Sequence, residues 1–320
     1  SATAPTPVGL PPIDESTFGA AHAGPSTRKF ARELGVDLGR VNGSGVKGRI
    51  TTDDVKRFVK AYMAGNVQVA TGPSLPEVPK VDFSKFGEVE EVKLTRIQKL
   101  SGAHLQASWI NLPHVTQHDD ADFTDTEAYR KANKAAAAEQ GIKLTPLAFI
   151  MRACVIALTE YPRFNTSLNA AGDALVNKKY INMGFAADTD DGLLVPVVHN
   201  AHEMDVHQLA MRLAELAAGA REGKLKARDM QGGSFTISSL GGIGGKYFTP
   251  IINAPEVAIL GVSRSTMTPV YNGETFEPRL MLPLSLSYDH RVIDGALAAR
   301  FITRLGQLLA DPDALMAPVK

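Results

Sequence analysis

Two stretches of the chain lack a periodic hydrophobic pattern and are rich in alanine, proline, glycine and small polar residues. They are residues 1–22 and 64–84. Such sequences bury too little apolar surface to offset the entropy lost on ordering, so both are predicted to be flexible linkers. They leave two patterned segments, residues 23–63 and 85–320, which we predict to be a small domain and a large domain.

The small segment has the pattern of two short helices around a glycine-rich loop. Ser26 stands at the start of the first helix, Gly35 follows its end, and Thr51 and Thr52 precede the second helix. About forty residues is close to the lower limit for a domain that folds alone. The loop NGSGVKGR has too few glycines before a helix to predict a nucleotide site, so we interpret it as a turn.

Helical and strand patterns alternate along the large segment, which predicts a mixed α/β fold with helices on one face of a mixed sheet. The helix over 147–161 is apolar on most sides and is predicted to lie in the core. Two strands are expected around the Asp-Asp-Gly turn in 180–199. The other predicted helices cover 95–109, 122–141, 205–221 and 296–309, and the other strands cover 233–240, 256–263, 269–273 and 279–288.

The overall composition is that of an ordinary globular protein, with 320 residues of which 44% are hydrophobic and 21% charged. The 34 basic and 34 acidic residues balance, so no net positive field favours nucleic acid or an anionic membrane as a partner. Neither a membrane span nor a signal peptide is predicted. The single cysteine, Cys154, lies in an apolar helical pattern, where we expect a buried and unreactive thiol in a reducing cytoplasm.

The best candidate for catalysis lies in MLPLSLSYDHRVIDGALAARF, residues 281–301. The strand pattern ends at Tyr288 and a helix is predicted to begin after Asp294, which places His290 on a strand-to-helix turn. A strand end holds such a side chain while leaving it open to a ligand, and an imidazole can accept a proton near neutral pH. A surface histidine followed by a simple helix cap fits the same pattern.

A second stretch of interest is glycine-rich and covers residues 232–263. Its Gly-x-x-x-Gly-Lys spacing is one residue short of a P-loop, and Tyr247 stands where a serine or threonine would bind magnesium, so we reject that motif. Ser238 and Ser239 end the preceding strand. They are either a polar strand end or hydroxyl donors to an oxyanion.

SYDHRVIDGALAARF resembles the active-site signature of the dihydrolipoamide acyltransferases, the core components of 2-oxo acid dehydrogenase complexes. Its His-x-x-x-Asp-Gly core is shared with chloramphenicol acetyltransferase, whose fold and trimeric assembly are therefore implied. STRKFARELGVDLGRVNGSGVKGRITTDDVKRFV resembles the peripheral-subunit-binding domain of the same family. The resemblance runs from about Ser26 to the C-terminus, broken by a linker, and several segments are most similar to bacterial pyruvate dehydrogenase members.

The resemblance implies a role for each candidate catalytic residue. His290 is the general base for the thiol of coenzyme A, and Ser238 supports the oxyanion. The thiolate attacks the acetyl group of S-acetyldihydrolipoamide directly, without an acyl-enzyme. Asp294 organises the site, paired with an arginine for which Arg96 is the matching candidate. The residues that bind the phosphates of coenzyme A are not identified, and no metal is implied.

The resemblance also implies partners. Arg28 and Arg49 fall where the family forms ion pairs with the decarboxylating pyruvate dehydrogenase and dihydrolipoamide dehydrogenase components; without it they are a solvated basic face. Homotrimers are expected to assemble into a core of about 24 subunits, with Leu315 and Met316 inserted into a neighbouring trimer. The Asp-Lys-Ala tripeptide of lipoyl domains does not occur, so a lipoyl domain outside this chain is expected to supply that group.

Two alternatives stay open at the level of the sequence. One is a sister acyltransferase for succinyl or branched-chain groups, which only the shape of the pocket can exclude. The other is a mainly architectural scaffold that binds partner enzymes through residues 24–63. The intact His290, Asp294 and Ser238 argue against a loss of catalysis.

Overall fold

The chain divides into a small unit, residues 1–90, and a large unit, residues 91–320. The computed structural model describes residues 13, 15–63, 78–189 and 192–318. Most of both predicted linkers therefore lies outside the described residues, and so do the two aspartates of the Asp-Asp-Gly turn. Among the described helices, none is long and apolar enough to cross a membrane.

The small unit is built from helices packed around one apolar cluster. Its helices are α1 (Glu15–Ala20), α2 (Pro25–Glu33) and α3 (Thr52–Met63), with short 3₁₀ turns at Leu38–Arg40 and Val46–Gly48. The buried core consists of Phe18, Ala31, Val36, Leu38, Val41, Ile50 and Val55. The two helices predicted from the sequence correspond to α2 and α3.

Helix α1 lies in residues predicted to be a linker, and here the structure differs from the sequence prediction. Six residues are too few to give a periodic pattern, and tertiary contacts stabilise the helix instead. Phe18 is buried in the cluster. The guanidinium of Arg28 donates to the carbonyl oxygens of Phe18 at 2.6 Å and Ala21 at 2.5 Å, which satisfies groups left open at the helix end.

Asp54 fixes the loop between α2 and α3. Its carboxylate is buried and accepts hydrogen bonds from the backbone and hydroxyl of Ser44 at 3.0 and 2.7 Å and from those of Thr51 at 2.9 and 2.8 Å. These bonds, with the Ser44 backbone first, hold the pKa of Asp54 far below its usual range. The loop therefore depends on an ionised aspartate.

We expect Asp54→Ala to open the small unit, because four donors lose their acceptor. Tryptic cleavage within residues 21–63 of the whole chain should become at least about tenfold faster. Since folding lowers the pKa of Asp54, its stabilisation is present above the ordinary aspartate pKa and is lost as the pH falls below it. Asp53→Ala is the matched control, because Asp53 is exposed and forms a surface ion pair with Lys56. Equal cleavage of both variants would contradict this role.

The large unit alternates helices and strands, as predicted. Its helices are α4 (Arg96–Asn111), α5 (Thr124–Glu139), α6 (Pro146–Glu160), α7 (Val206–Arg221), α8 (Gly295–Ala310) and α9 (Pro312–Met316). Its strands are β1 (His114–Asp122), β2 (Thr166–Leu168), β3 (Leu175–Asn177), β4 (Met183–Phe185), β5 (Ala187–Thr189), β6 (Gly192–Leu194), β7 (Val197–Val198), β8 (Phe235–Ser239), β9 (Ala258–Val262), β10 (Thr266–Tyr271) and β11 (Phe276–Asp289).

The main sheet is mixed, with the strand order β1-β11-β9-β8-β4-β7, and β10 pairs with the first half of β11. Strands β4, β8 and β9 are parallel, whereas β1, β7, β10 and β11 run antiparallel to their neighbours. Residues 180–199 form four short strands rather than the two predicted, because β4 and β7 join the sheet while β5 and β6 pair separately.

One face of the sheet carries the core. Side chains alternate along a strand, and on β11 the residues Leu282, Leu284, Leu286 and Tyr288 pack with α5, α6, α7 and α8, whereas Ser285 and Ser287 face the other side. Helix α6 is buried over most of its length, as its all-round apolar pattern predicted. Burial raises the pKa of the Cys154 thiol well above its ordinary value, which leaves it protonated.

The C-terminal segment packs against its own chain and forms hydrogen bonds with it. Leu315 is fully buried in the core, and the buried Arg152 donates to the carbonyl oxygens of Leu315 at 3.2 Å and Ala317 at 2.5 Å. Met316 is half-buried against the same core. The expectation that Leu315 inserts into a neighbouring trimer is therefore wrong, because its apolar surface is already covered within the chain.

Candidate active site

The turn that carries His290 is held at both of its ends. Strand β11 ends at Asp289, whose backbone N–H donates to the Val257 carbonyl at 2.9 Å. The buried Asp289 carboxylate accepts from the backbone of Arg291 at 3.0 Å and from its guanidinium at 2.7 Å, and this hydrogen bond raises the pKa of Arg291. The carboxylate thus closes the turn immediately around the histidine.

Further hydrogen bonds join this turn to distant parts of the large unit. The backbone N–H of His290 donates to Pro113 O at 3.0 Å, and Arg163 Nε donates to Val292 O at 2.7 Å. Asp294 caps α8 by accepting from Leu297 N at 2.8 Å, as predicted. Arg163 could not be recognised as a site residue from local patterns, because a single arginine after a helix has the pattern of any surface residue.

The imidazole of His290 is exposed on this rigid turn. No hydrogen bond to its ring nitrogens is present in the part of the chain that the structure describes. Its ring centroid lies 6.0 Å from that of the buried Tyr288. Burial first, and the charge of Asp294 second, raise the pKa of the Tyr288 phenol. The backbone of His290 is therefore held in place, and its imidazole is open to a reacting group.

Ser238 lies on the sheet face opposite to the core. It is half-buried near the end of β8, where it pairs with Gly261 of β9, and Gly261 pairs with Ser285 of β11. A Cβ atom at Gly261 would lie 2.7 Å from the ring of Phe248, so the glycine leaves the space that this ring occupies. The loop after β8 thus folds back over the row of residues that contains Ser238.

Strand register places Ser238 and His290 far apart within one chain. His290 follows Ser285 by five positions, which is roughly 17 Å along β11 at about 3.4 Å per residue. Ser238 lies in the row of Ser285, two strands away. The two residues predicted to act on one carbonyl group therefore do not meet within a single chain.

The predicted pair between Arg96 and Asp294 is likewise not formed within the chain. Arg96 is the first residue of α4 and is exposed, and among the described residues its side chain makes no hydrogen bond or ion pair. Asp294 is also exposed. Both charges remain available to a second molecule.

The two predicted partner-binding arginines of the small unit differ in their surroundings. Arg28 is half-buried, with its donors directed at backbone carbonyls around α1. Arg49 is exposed, and its guanidinium has no partner in the described part of the chain. The structure thus gives Arg28 an internal role and leaves Arg49 open for a contact.

A cleft of about 350 Å³ on the helix side of the sheet adjoins the end of β8. Its walls combine apolar, small polar and acidic side chains, among them Phe123, Leu147, Ile150, Thr145, Ser239 and Glu127. Across residues 15–63, 78–189 and 192–318, no cluster of histidine, cysteine and acidic residues could hold a metal ion.

Comparison with protein families identifies the large unit. A family model described as the catalytic domain of the 2-oxoacid dehydrogenases acyltransferase matches residues 86–317. The chain belongs to the 2-oxoacid dehydrogenase acyltransferases. A model described as an e3 binding domain matches residues 21–56 of the same acyltransferase. Both matches confirm the resemblance stated from the sequence.

Two curated relatives of this acyltransferase carry the same name. It is 57% identical over 299 residues to the dihydrolipoyllysine-residue acetyltransferase component of the pyruvate dehydrogenase complex from Pseudomonas aeruginosa, covering 92% of this chain and 55% of that protein. It is 54% identical over 311 residues to the Haemophilus influenzae component of the same name, covering 93% and 55%. The chain spans about half the length of these relatives.

Solved structures agree with the fold of the acyltransferase. The dihydrolipoamide acetyltransferase of Azotobacter vinelandii superposes with a TM-score of 0.75 at 57% identity, covering 76% of this chain and 100% of that chain. A probable dihydrolipoamide acetyltransferase of Listeria monocytogenes has a TM-score of 0.68 at 35% identity, covering 70% and 95%. The mixed α/β fold predicted for the large domain is thereby confirmed.

Proposed function

We propose that the chain transfers an acetyl group between S-acetyldihydrolipoamide and coenzyme A, as the core component of a pyruvate dehydrogenase complex. The observation that carries this proposal is the exposed His290, held on its turn by hydrogen bonds from Arg163 and to Pro113. The 57% identity to a relative named for this activity gives the substrate class.

The spacing of three residues supports the assignment. In the Azotobacter vinelandii acetyltransferase, a serine, a histidine and an asparagine with a role in the catalytic mechanism are separated by fifty-two and then by four positions. Ser238, His290 and Asp294 have the same separations in this chain. The third residue differs, with aspartate here for asparagine there. Either side chain can accept the N-cap hydrogen bond of α8, so the cap does not require the charge.

The chemistry follows from these positions. The His290 imidazole takes the proton of the coenzyme A thiol, which is mostly protonated at neutral pH with a pKa of about 8.5. The thiolate forms a bond to the acetyl carbon, and the Ser238 hydroxyl donates to the resulting oxyanion. The bond from the acetyl carbon to the lipoyl sulfur then breaks, and His290 returns the proton to that sulfur.

The active site is proposed to lie between two copies of the chain, in a homotrimer that builds a larger core. Ser238 and His290 are separated by roughly 17 Å along the strand direction alone, so a second copy is required if both act on one carbonyl. The outer face of α4 exposes apolar side chains, including 63% of Leu100 and 58% of Trp109, which a neighbouring copy would cover. A related structure, with a TM-score of 0.75, is the cubic core of a pyruvate dehydrogenase complex. The Arg96 and Asp294 charges would pair across this contact.

The small unit is proposed to bind the dihydrolipoamide dehydrogenase and decarboxylating components, as a domain over residues 23–63 separated by a linker from the catalytic domain over 85–320. The matches over 21–56 and 86–317 support these boundaries. The lipoyl group would come from a lipoyl domain outside these 320 residues. A reducing cytoplasm would suit the buried Cys154 thiol.

Arg49→Ala is expected to weaken binding of dihydrolipoamide dehydrogenase on the order of tenfold or more, because the exposed guanidinium is free to pair with an acidic partner. Calorimetry at two salt concentrations checks this, since screening should reduce the affinity of the parent more than that of the variant. Lys60→Ala, which removes an exposed lysine of α3, is the control. Arg28→Ala should instead accelerate proteolysis of the small unit. Equal affinity for the parent and Arg49→Ala would place the contact elsewhere.

A thiol-release assay tests the proposed function. Acetyl-, succinyl- and isobutyryl-coenzyme A are each incubated with dihydrolipoamide, and free coenzyme A is measured by chromatography. The proposal expects release with the acetyl donor at well above the rate with the others. Preference for succinyl or isobutyryl groups would favour a sister acyltransferase. No release with any donor would favour a scaffold.

A further inference from the structure

Glu256 is a buried carboxyl group that the proposed reaction does not use. Only 2% of it is exposed. Its Oε1 atom accepts hydrogen bonds from Thr236 Oγ1 at 2.9 Å and from Asn253 Nδ2 at 3.1 Å, whereas Oε2 has no partner among the described residues. Burying a carboxylate with one oxygen that accepts no hydrogen bond costs much free energy, and burying a carboxylic acid in the same place costs far less. This geometry therefore favours the neutral acid.

The charged groups around Glu256 do not reverse this preference. Burial raises the pKa of Glu256 to about 7, and the hydrogen bonds of Thr236 and Asn253 and the charge of Lys178 oppose the rise. Lys178 directs its ammonium group at Thr166 O, 2.9 Å away, and at a serine hydroxyl, and burial lowers the pKa of this lysine. Among the described residues, His104 of α4 also belongs to this network through its hydrogen bond with Asn253.

The hydrogen bonds of Glu256 join three elements of the large unit. Asn253 donates to Glu256, and its Oδ1 atom accepts from His104 Nε2 of α4 at 3.1 Å. Thr236 belongs to β8 and lies two positions before Ser238, so both side chains face the same side of the sheet. A Cβ atom at Gly233 would lie 2.8 Å from Glu256 Oε1, which shows how closely the carboxyl packs against the start of β8.

We propose that Glu256 is a positioning residue that, as a neutral hydrogen-bonded acid, holds the strand of Ser238 against the loop of Asn253 and helix α4. This inference rests on the proposed function, which assigns Ser238 to the oxyanion. Ionisation of Glu256 would bury a negative charge beside β8 on a carboxylate whose Oε2 atom accepts no hydrogen bond among the described residues. A rearrangement that brings a donor or water to this oxygen would move the start of β8. Acetyl-transfer activity therefore falls as the pH rises and Glu256 ionises. This fall does not come from His290, because a general base works in its neutral form.

The test compares Glu256→Gln with Glu256→Leu. Glutamine keeps an acceptor for Thr236 and Asn253 and has no charge at any pH, whereas leucine removes the hydrogen bonds. Glu160→Gln is the matched control, since Glu160 forms a surface ion pair with Arg304. Acetyl transfer is followed from pH 6 to about 9, with kcat and KM determined separately.

For the parent and for Glu160→Gln, kcat at the alkaline end of the range should be at least about threefold below its maximum. Glu256→Gln should keep its neutral kcat within about twofold and lose the alkaline fall. Glu256→Leu should lower kcat by about tenfold or more at every pH with a smaller change in KM, since misplacement acts on the transition state. An alkaline fall that persists in Glu256→Gln overturns the proposal.

Infrared spectroscopy gives a readout that does not depend on activity. The carbonyl stretch of a protonated carboxyl group should be present at pH 6, titrate near neutrality and be absent from Glu256→Gln. A parent spectrum without such a band at pH 6 also overturns the proposal. A parent with this band but no acetyl transfer would contradict the proposed function and leave the neutral buried acid established.

Discussion

His290→Ala is expected to lower kcat for acetyl transfer by about 10² to 10⁴, the usual contribution of a general base, while the Michaelis constants change little. The substitution should act on the chemistry alone, because the backbone of the turn does not depend on the imidazole. Pro113, Arg163 and the buried Asp289 hold the backbone of the turn, so the substitution should remove the imidazole without moving its surroundings. Steady-state kinetics with acetyl-coenzyme A and dihydrolipoamide measure the change.

His22→Ala is the control for this substitution, because it removes an exposed imidazole from the small unit and leaves the large unit intact. Its kcat should equal that of the parent. Retention of kcat within tenfold of the parent by His290→Ala would remove His290 from the role of general base. A loss accompanied by altered sedimentation would instead indicate a change in assembly.

Long periodic segments allowed much of the large unit to be predicted. Helices α6 and α8 have enough turns for their apolar faces to be recognised, and Asp294 marks the start of α8 because its side chain caps the first turn. The strand-to-helix turn of His290 follows from those two boundaries. Local patterns thus placed His290 on a strand-to-helix turn, whereas its catalytic role came from the resemblance to the acyltransferases.

Features that depend on tertiary contacts were not predictable in the same way. Helix α1 is six residues long and depends on Phe18 and on the donors of Arg28. Glu256 has the pattern of a solvated charge at the start of a predicted strand, yet it is buried and accepts a hydrogen bond from Thr236. Leu315 follows the last long helix and looks unpartnered, but it fills its own core. Each outcome is decided by residues distant in the sequence.

The distance between Ser238 and His290 was not predictable from local patterns either, because it depends on strand register. Neither residue's local pattern reveals that β9 lies between β8 and β11, or that Ser238 aligns with Ser285 rather than with the end of β11. Once the register is known, a site made by one chain is ruled out by distance. If both residues act in one reaction, as the resemblance implies, the register requires that two chains supply them.

Mixing His290→Ala and Ser238→Ala chains during refolding should restore activity that neither variant has alone. In a trimeric ring with head-to-tail contacts, each site combines the histidine of one chain with the serine of the next. Any ring that contains both variants has one junction at which an intact His290 faces an intact Ser238. Random mixing makes about three-quarters of the rings mixed, each with one good site in three, so roughly a quarter of the parental activity should return.

The measurement requires both variants to be weak enough for this recovery to be visible. Loss of one oxyanion donor is expected to cost about 10² to 10³ in rate, and loss of the base at least as much. Native mass spectrometry establishes that the rings are mixed, and combining already folded trimers of the two variants provides the control, since no chains exchange. If Ser238 and His290 of the same chain formed the site, every site in a mixed ring would keep one defect. Activity equal to the average of the two variants, in rings shown to be mixed, would therefore contradict a site shared between neighbouring chains.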